Sequence, residues 1–253
     1  MIRLQLDGDL AEIVLDAPGR LNALDRAGVA ELSDAYRDAE AAGARALLLR
    51  GEGRAFCAGR DISGVDPETD DVPGYLGEFE ALMRRMAAFP APTFAAVQGA
   101  CLGVGLGLAI ATDVVYVADD AKIGSPFAGL GALLDSGGHA LLFERLGAHR
   151  ALDLVYTGEL MSGAEAAASG LFSRAVPRDE LDGFTRERVA RAAQGPTQAF
   201  LASKRIVAGL RDDTLWPTVA AETAGQEALR TTADYREGFA AFQQKRRPRF
   251  EGR

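Results

Sequence analysis

Apolar and polar residues alternate at residues 2–6 and 12–15, a period of two that predicts a hairpin turning at Asp7-Gly8-Asp9. The period then lengthens. Asp25 precedes Val29, Leu32, Ala35, Tyr36 and Ala39, which share one helical face, and Gly43 ends that run. Residues 46–49 form a short continuous apolar run, as do 93–97 and 114–117, and each suits a strand buried on both faces. Residues 67–77 are polar, acidic and rich in Pro and Gly, which predicts a mobile loop before a helix near 78–88. A Gly-rich turn after 93–97 leads into an apolar helical segment at 106–112. Short helical pieces are expected near 142–147 and 151–157, and Ser162-Gly-Ala-Glu165 reads as a capping box opening another helix. Residues 174–176 are the last strand candidate. From about 179 the pattern is helical to 242, with Gly195-Pro196 as its only clear break. The predicted class is α/β with mostly buried strands, and no exact repeat is visible.

Composition narrows the function classes. A chain of 253 residues, 48% hydrophobic and 25% charged, can bury a full core as a soluble globule. A net charge of −8 argues against general nucleic-acid binding. Gly or charge interrupts every apolar run well before the roughly 18 residues that a membrane span needs, so no membrane partner is expected. The first residues, Met1-Ile-Arg-Leu-Gln-Leu-Asp7, lack the basic-then-apolar layout of a signal peptide. The two cysteines, Cys57 and Cys101, do not make a disulfide framework, which favours a reducing cytoplasm. With only two histidines, His139 and His149, a Cys/His zinc site is not expected.

Two stretches carry candidate chemistry: Gly99-Ala-Cys-Leu-Gly-Val-Gly-Leu-Gly-Leu-Ala109 and, about 45 residues earlier, Phe56-Cys-Ala-Gly-Arg-Asp61. Both follow apolar runs and are built from residues small enough to let a ligand touch main chain. The first of them opens a helix, where a backbone N–H is an unpaired donor favoured by the helix dipole. Two such loops, each presenting a free N–H, can hold one developing oxyanion, as acyl-transfer and enolate chemistry requires.

These residues resemble the crotonase (enoyl-CoA hydratase/isomerase) superfamily over essentially the whole chain. The matching pieces are Arg20-Leu-Asn-Ala-Leu24, Ala55-Phe-Cys-Ala-Gly-Arg-Asp-Ile62, Val97-Gln-Gly99 running through the Gly-rich turn to Asp113, Tyr156-Thr-Gly158, Ala164-Glu-Ala166 with Gly170-Leu171, and Glu237-Gly-Phe-Ala-Ala-Phe-Gln-Gln-Lys-Arg246. The resemblance implies an α/β fold, a crotonase-like spiral of ββα units over 1–194, with a C-terminal helical trimerisation region over 195–253. It implies an acyl-CoA or enoyl-CoA substrate and assembly as a homotrimer or dimer of trimers. It places oxyanion donors on the backbone N–H groups of Arg60 and Val104, the latter in Gly103-Val104-Gly105 where the family commonly has three glycines. The coenzyme A adenine is expected against Ala58 and Ile62, with Arg20 and Leu21 in the same groove. Lys245, beside Phe242, matches a position that reaches a CoA phosphate, often from the next subunit. Its basic neighbourhood, Lys245-Arg-Arg-Pro-Arg249, suits an anion on an otherwise acidic chain. No metal or redox cofactor is implied, coenzyme A arriving as part of the substrate.

The chain departs from the family at its two hydratase glutamates, whose positions hold Gly107 and Phe127, neither able to move a proton. Asp135, in Leu133-Leu-Asp-Ser-Gly-Gly138, stands where certain superfamily isomerases carry a catalytic aspartate. A desolvated carboxylate there would have a raised pKa and could move a proton between carbons α and γ of a thioester. A superfamily dehalogenase uses the same position but needs a histidine near the start of the 78–88 helix, which this chain lacks. The expected function is therefore enoyl-CoA isomerisation, with enoyl-CoA hydration or non-catalytic acyl-CoA binding as alternatives. Plainer roles stand beside the sharp ones. Asp135 could cap a helix near Gly137. The Gly103–Gly107 glycines are misplaced for a dinucleotide fingerprint, with Leu108 where the third should be. Cys57 and Cys101 read as buried packing residues, and Asp66 to Asp71 as a solvated loop. Asp61 reads as a support for its own loop. Tyr75 and Glu78 are candidates for the acyl pocket, and His139 for orienting the Asp135 loop.

Overall fold

A computed structural model describes residues 1–253. The strands are β1 (Ile2–Asp7), β2 (Leu10–Leu15), β3 (Ala46–Gly51), β4 (Thr93–Val97), β5 (Ala100–Leu102), β6 (Val114–Ala118), β7 (Lys122–Gly124), β8 (Met161–Ser162) and β9 (Arg174–Val176). The helices are α1 (Arg26–Ala41), α2 (Val72–Ala87), α3 (Val104–Ile110), α4 (Gly138–Thr157), α5 (Gly163–Ala168), α6 (Leu181–Ala193), α7 (Thr197–Leu229) and α8 (Ala233–Gln243). The six-stranded main sheet runs β1-β2-β3-β4-β6-β9, antiparallel only at the β1–β2 hairpin, and a small sheet β5-β7-β8 stands beside it. Parallel strands need covered faces. The central strands accordingly carry Ile13, Leu47, Leu49, Ala95 and Val117 with no solvent exposure. Even Glu12 is buried, held by Arg50 at 2.6 Å and by both terminal nitrogens of Arg186 on α6.

Local sequence explains most boundaries. The Asp25 carboxylate accepts the Gly28 N–H at the start of α1, and Ser162 with Glu165 forms the reciprocal capping box of α5, as expected. Helix α2 begins six residues earlier than the pattern suggests, at Val72 rather than 78. The Asp71 side chain caps Gly74 N–H, and Pro73 sits in the first turn where a missing N–H costs nothing. Burial of Val72, Tyr75 and Leu76 then overrides the loop-like composition. Within α4 the two expected helical pieces are present, separated at Gly147, whose φ of 75° and ψ of 167° are not helical. The Gly195-Pro196 break is present, and a second one occurs at 230–232, where Thr232 caps α8. The strands of the small sheet are two or three residues long, too short for a periodic signal.

The small sheet brings the two glycine-rich stretches together. Gly99, with φ +58°, turns the chain from β4 into β5, and β5 pairs with β7 through Cys101 and Ile123. The loop following β3 lies along β5 through a parallel bridge between Cys57 and Cys101.

Candidate active site

Backbone bonds on either side leave two amides free. The Cys57 N–H donates to Ala100 O and the Leu102 N–H to Cys57 O, both at 3.0 Å. Leu24 N–H donates to Gly59 O at 2.9 Å, and Asp61 N–H to Leu24 O at 3.0 Å. Between these, the Arg60 N–H donates no hydrogen bond within the chain, and neither does the N–H of Val104, the first residue of α3. The two loops are in van der Waals contact, since a Cβ on Gly103 would lie 3.9 Å from Gly59 Cα. Val104 is buried with its backbone helical, so the valine in place of a glycine is tolerated; the positive φ, +53°, falls on Gly103.

Asp135 sits in the turn ahead of α4, and its carboxyl is buried. Oδ1 accepts the Ser136 hydroxyl at 2.8 Å and Oδ2 accepts Gln226 Nε2 at 3.1 Å. Burial pushes its pKa up to about 6, helped by the charge of Glu222, while the two hydrogen bonds and the Arg60 charge act in the opposite direction. The capping role, the plainer alternative for Asp135, belongs instead to Glu222 of α7. Its carboxylate accepts the Gly137 N–H at 2.7 Å, the His139 N–H at 2.9 Å and meets His139 Nδ1 at 2.8 Å. His139 and the Gly137 N–H of the Asp135 turn thus share the Glu222 carboxylate. Gly107 faces the same turn: a Cβ there would stand 2.6 Å from Ser136 Cβ and 2.9 Å from Phe79 Cε1. A side chain at the first glutamate position would collide with the segment that carries Asp135. Phe127, at the second glutamate position, lies over the turn of the free Val104 amide, its Cζ 3.0 Å from a Cβ built on Gly103.

Aromatic and charged groups close the inner side. The Arg60 guanidinium makes a bidentate pair with Asp70, at 2.8 and 2.6 Å, and lies 4.2 Å from the centre of the Tyr75 ring. The acidic loop is solvated as expected at Asp66, Glu68, Thr69 and Asp71, but the Asp70 side chain is turned inward and only 9% exposed, and Asp71 also caps α2. Tyr75 is buried with its hydroxyl donating to Leu24 O at 3.1 Å, whereas Glu78 is half-exposed beside Arg26 and faces away. Tyr235 of α8, absent from the sequence reading, is buried and stacked on Phe239. Its hydroxyl is pushed up to about 12, by burial first and then by the Asp70 charge. Both cysteines are fully buried, and desolvation holds both thiols well above their usual range, consistent with packing.

The outer groove is assembled from separate elements. Ala58 and Ile62 are half-buried on the loop after β3, and the Ala58 N–H donates to Leu21 O at 3.0 Å. Arg20 bridges Asp25 at 3.0 Å and Asp61 at 3.2 Å, and Asp61 also accepts the Ser63 N–H and hydroxyl, so it supports its loop. Phe242 and Lys245 are exposed at the end of α8, where Gln243 Nε2 donates to Val65 O at 2.7 Å. The C-terminal helix thus lies against its own chain's 61–70 loop. A cavity of about 550 Å³ lies elsewhere, between α7 and residues of α3 and α4 such as Ile110 and Leu141. No group of residues in the structure has metal-ligand arrangement, and no helix is long and apolar enough to cross a membrane.

The family model described as enoyl-CoA hydratase/isomerase matches residues 6–253. This chain belongs to that family. It is 38% identical over 253 residues to a "Probable enoyl-CoA hydratase" of Rhodobacter capsulatus, covering all of this chain and 98% of that protein. It is 34% identical over 248 residues to the 1,2-epoxyphenylacetyl-CoA isomerase of Escherichia coli, covering 95% and 94% of the two chains. A crystal structure of an enoyl-CoA hydratase from Mycobacterium avium subsp. paratuberculosis superposes with a TM-score of 0.89 at 30% identity, over 99% of this chain and 98% of that one. The α/β architecture with its C-terminal helices is therefore the crotonase fold, and the protein is an acyl-CoA enzyme of the hydratase/isomerase family.

Glu222 and Gln226 escaped the sequence reading. Leu215, Val219, Glu222 and Gln226 form one buried stripe of α7. An acid and an amide continuing an apolar stripe are the signal that could have found them.

Proposed function

We propose that this enzyme shifts a double bond in an enoyl-CoA thioester, with Asp135 moving the proton. The observation that carries this reading is a buried carboxylate, each oxygen held by one donor, with a pKa near 6. The two positions where a hydratase would keep its glutamates hold Gly107 and Phe127. The thioester oxygen would accept the free N–H groups of Arg60 and Val104, which stabilise negative charge as the α-proton leaves. Asp135 takes that proton from a β,γ-unsaturated thioester, and the electron pair delocalises through the double bond into a dienolate. Return of the proton at the γ-carbon closes the α,β-double bond and restores the carboxylate. One base serves both halves, and a pKa near 6 leaves it ionised at neutral pH yet basic enough to hold the proton briefly. No water, metal or redox cofactor enters the balance.

Coenzyme A would lie along Ala58, Ile62, Leu21 and Arg20, with Phe242 and Lys245 at the phosphate end. Arg20 is already paired with two carboxylates, so Lys245, whose ammonium makes no ion pair in the chain, supplies the free charge. The exposed apolar residues Phe143, Leu152 and Tyr156 on α4, and Ile206, Val207 and Leu210 on α7, suit a homotrimer or dimer of trimers.

Hydration remains the second reading because the Rhodobacter relative is named for it. It would need a further carboxylate to activate water, and Glu222 is engaged by three donors. A panel of straight, branched and aromatic enoyl-CoA esters, assayed for both isomerisation and hydration, separates the two. Asp135→Asn should cut isomerisation by about 10²–10⁴-fold and abolish α-proton exchange in heavy water, with CoA-ester affinity kept. Near wild-type isomerisation by that variant would end the proposal.

A further inference from the structure

Asp135 accepts a hydrogen bond from a residue on a distant element, 91 positions along the chain. The Gln226 side chain is clasped by both backbone atoms of Leu133: its Oε1 accepts the Leu133 N–H at 3.3 Å, and its Nε2 donates to Leu133 O at 2.6 Å. That pairing forbids the flipped amide, because inversion would set donor against donor and acceptor against acceptor. The Nε2 group that faces Leu133 O is therefore also held toward Asp135 Oδ2, at 3.1 Å. Ser136 Oγ, on the other oxygen, is a hydroxyl that can donate or accept as Asp135 loses or gains its proton; the Gln226 amide has no such freedom.

We propose that Gln226 of α7 is a positioning residue for the proton transfer, an orientation-locked amide that aims the Asp135 carboxylate and favours its ionised form. The inference rests on Asp135 as the proton-moving group. It adds that α7, which supplies no group to the reacting atoms, sets where that carboxylate points and how readily it ionises. The other charges facing Asp135 are Glu222 from the same helix and Arg60 from the loop after β3. Tyr75 from α2 and Tyr235 from α8 also face it, and His139 from α4 is tied to Glu222. Glu222 raises the carboxyl pKa and Arg60 lowers it, so loss of the Gln226 donor leaves the raising influences less opposed.

Gln226→Leu and the near-isosteric Gln226→Glu test this, the second substitution keeping an acceptor for Leu133 N–H should the leucine variant fold poorly. The Asp135 carboxyl is titrated directly by carbon NMR of aspartate-labelled protein, its signal identified by loss in Asp135→Asn. In either variant the midpoint should rise by about one unit, and the acid limb of kcat/KM should move up with it. The maximal kcat should fall by about tenfold or more while KM stays within about twofold, the mark of lost alignment rather than lost binding. A folded variant with the wild-type midpoint and wild-type kcat overturns the inference and leaves Asp135 as the shuttle. A shifted midpoint alongside an active Asp135→Asn enzyme shows that Gln226 sets the ionisation of Asp135 but overturns the proton-transfer reading, and with it any part for Gln226 in the reaction.

Discussion

A raised carboxyl pKa is a cost to the fold as well as an asset to chemistry. Asp135 ionises near pH 6 in the folded chain against 3.8 for the free side chain. Between those values the folded state binds the proton more tightly, so stability falls as pH rises from about 4 to about 6. The full effect is at most about 3 kcal/mol, at 1.36 kcal/mol per unit. Asp135→Asn should therefore be more stable than the wild type at pH 8, with the difference shrinking toward pH 4. Urea melts at both values check it, and equal midpoints at pH 8 would show that the buried charge is not destabilising. Gly107 is the second residue with a sharp consequence. Gly107→Ala puts a methyl 2.6 Å from Ser136 Cβ and should cost about 1–3 kcal/mol by overpacking. It should also lower kcat more than that loss of stability explains, because the displaced segment carries Asp135. Denaturation and single-turnover rates on the same preparation separate the two effects.

At the level of elements, the site is a meeting of helix ends and loops that no single segment contains. Helix α3 offers the Val104 amide, α7 sends Glu222 to the start of α4 and Gln226 to Asp135, and α8 closes over the 61–70 loop. Helix α8 is held close: a Cβ on Gly131 would lie 2.6 Å from Asp234 O, so the segment after Phe127 packs directly on its first turn. The same helix ends at the proposed phosphate contact. Lys245→Ala should raise KM for CoA esters by about tenfold with kcat largely unchanged, and the effect should fade at high salt as screening replaces it. An unchanged KM at low ionic strength would remove Lys245 from the site.

For the whole molecule, the exposed apolar faces of α4 and α7 are the feature most at odds with a lone chain. Leu210 is 77% exposed and Tyr156 73%, values hard to reconcile with a free acidic globule of this size. Light scattering should give the mass of three or six chains. Leu210→Asp should shift that mass toward the single chain, by placing a charge where a neighbour's apolar surface would lie. A monomeric wild type at micromolar concentration would overturn the assembly.

Short-range rules made much of this protein legible. The Asp25 cap, the Ser162–Glu165 box, the buried strands and the two glycine-rich stretches depend on neighbours within about four residues or on a simple period. The order of the motifs was enough to mark the family, and Gly107 and Phe127 flagged a departure from the hydratase pattern. What the chain alone left open were matters of contact between distant segments. The start of α2 was set by burial of Val72 and Tyr75 against composition, and one side chain of the exposed acidic loop, Asp70, was turned inward by Arg60, ten residues away. The cap of α4 came from Glu222, more than 80 residues on, which freed Asp135 from that duty. A raised carboxylate pKa needs desolvation and specific partners in space, and both are properties of packing. Sequence could nominate Asp135; only the tertiary structure could bury it, aim it and surround it with the groups that decide its proton.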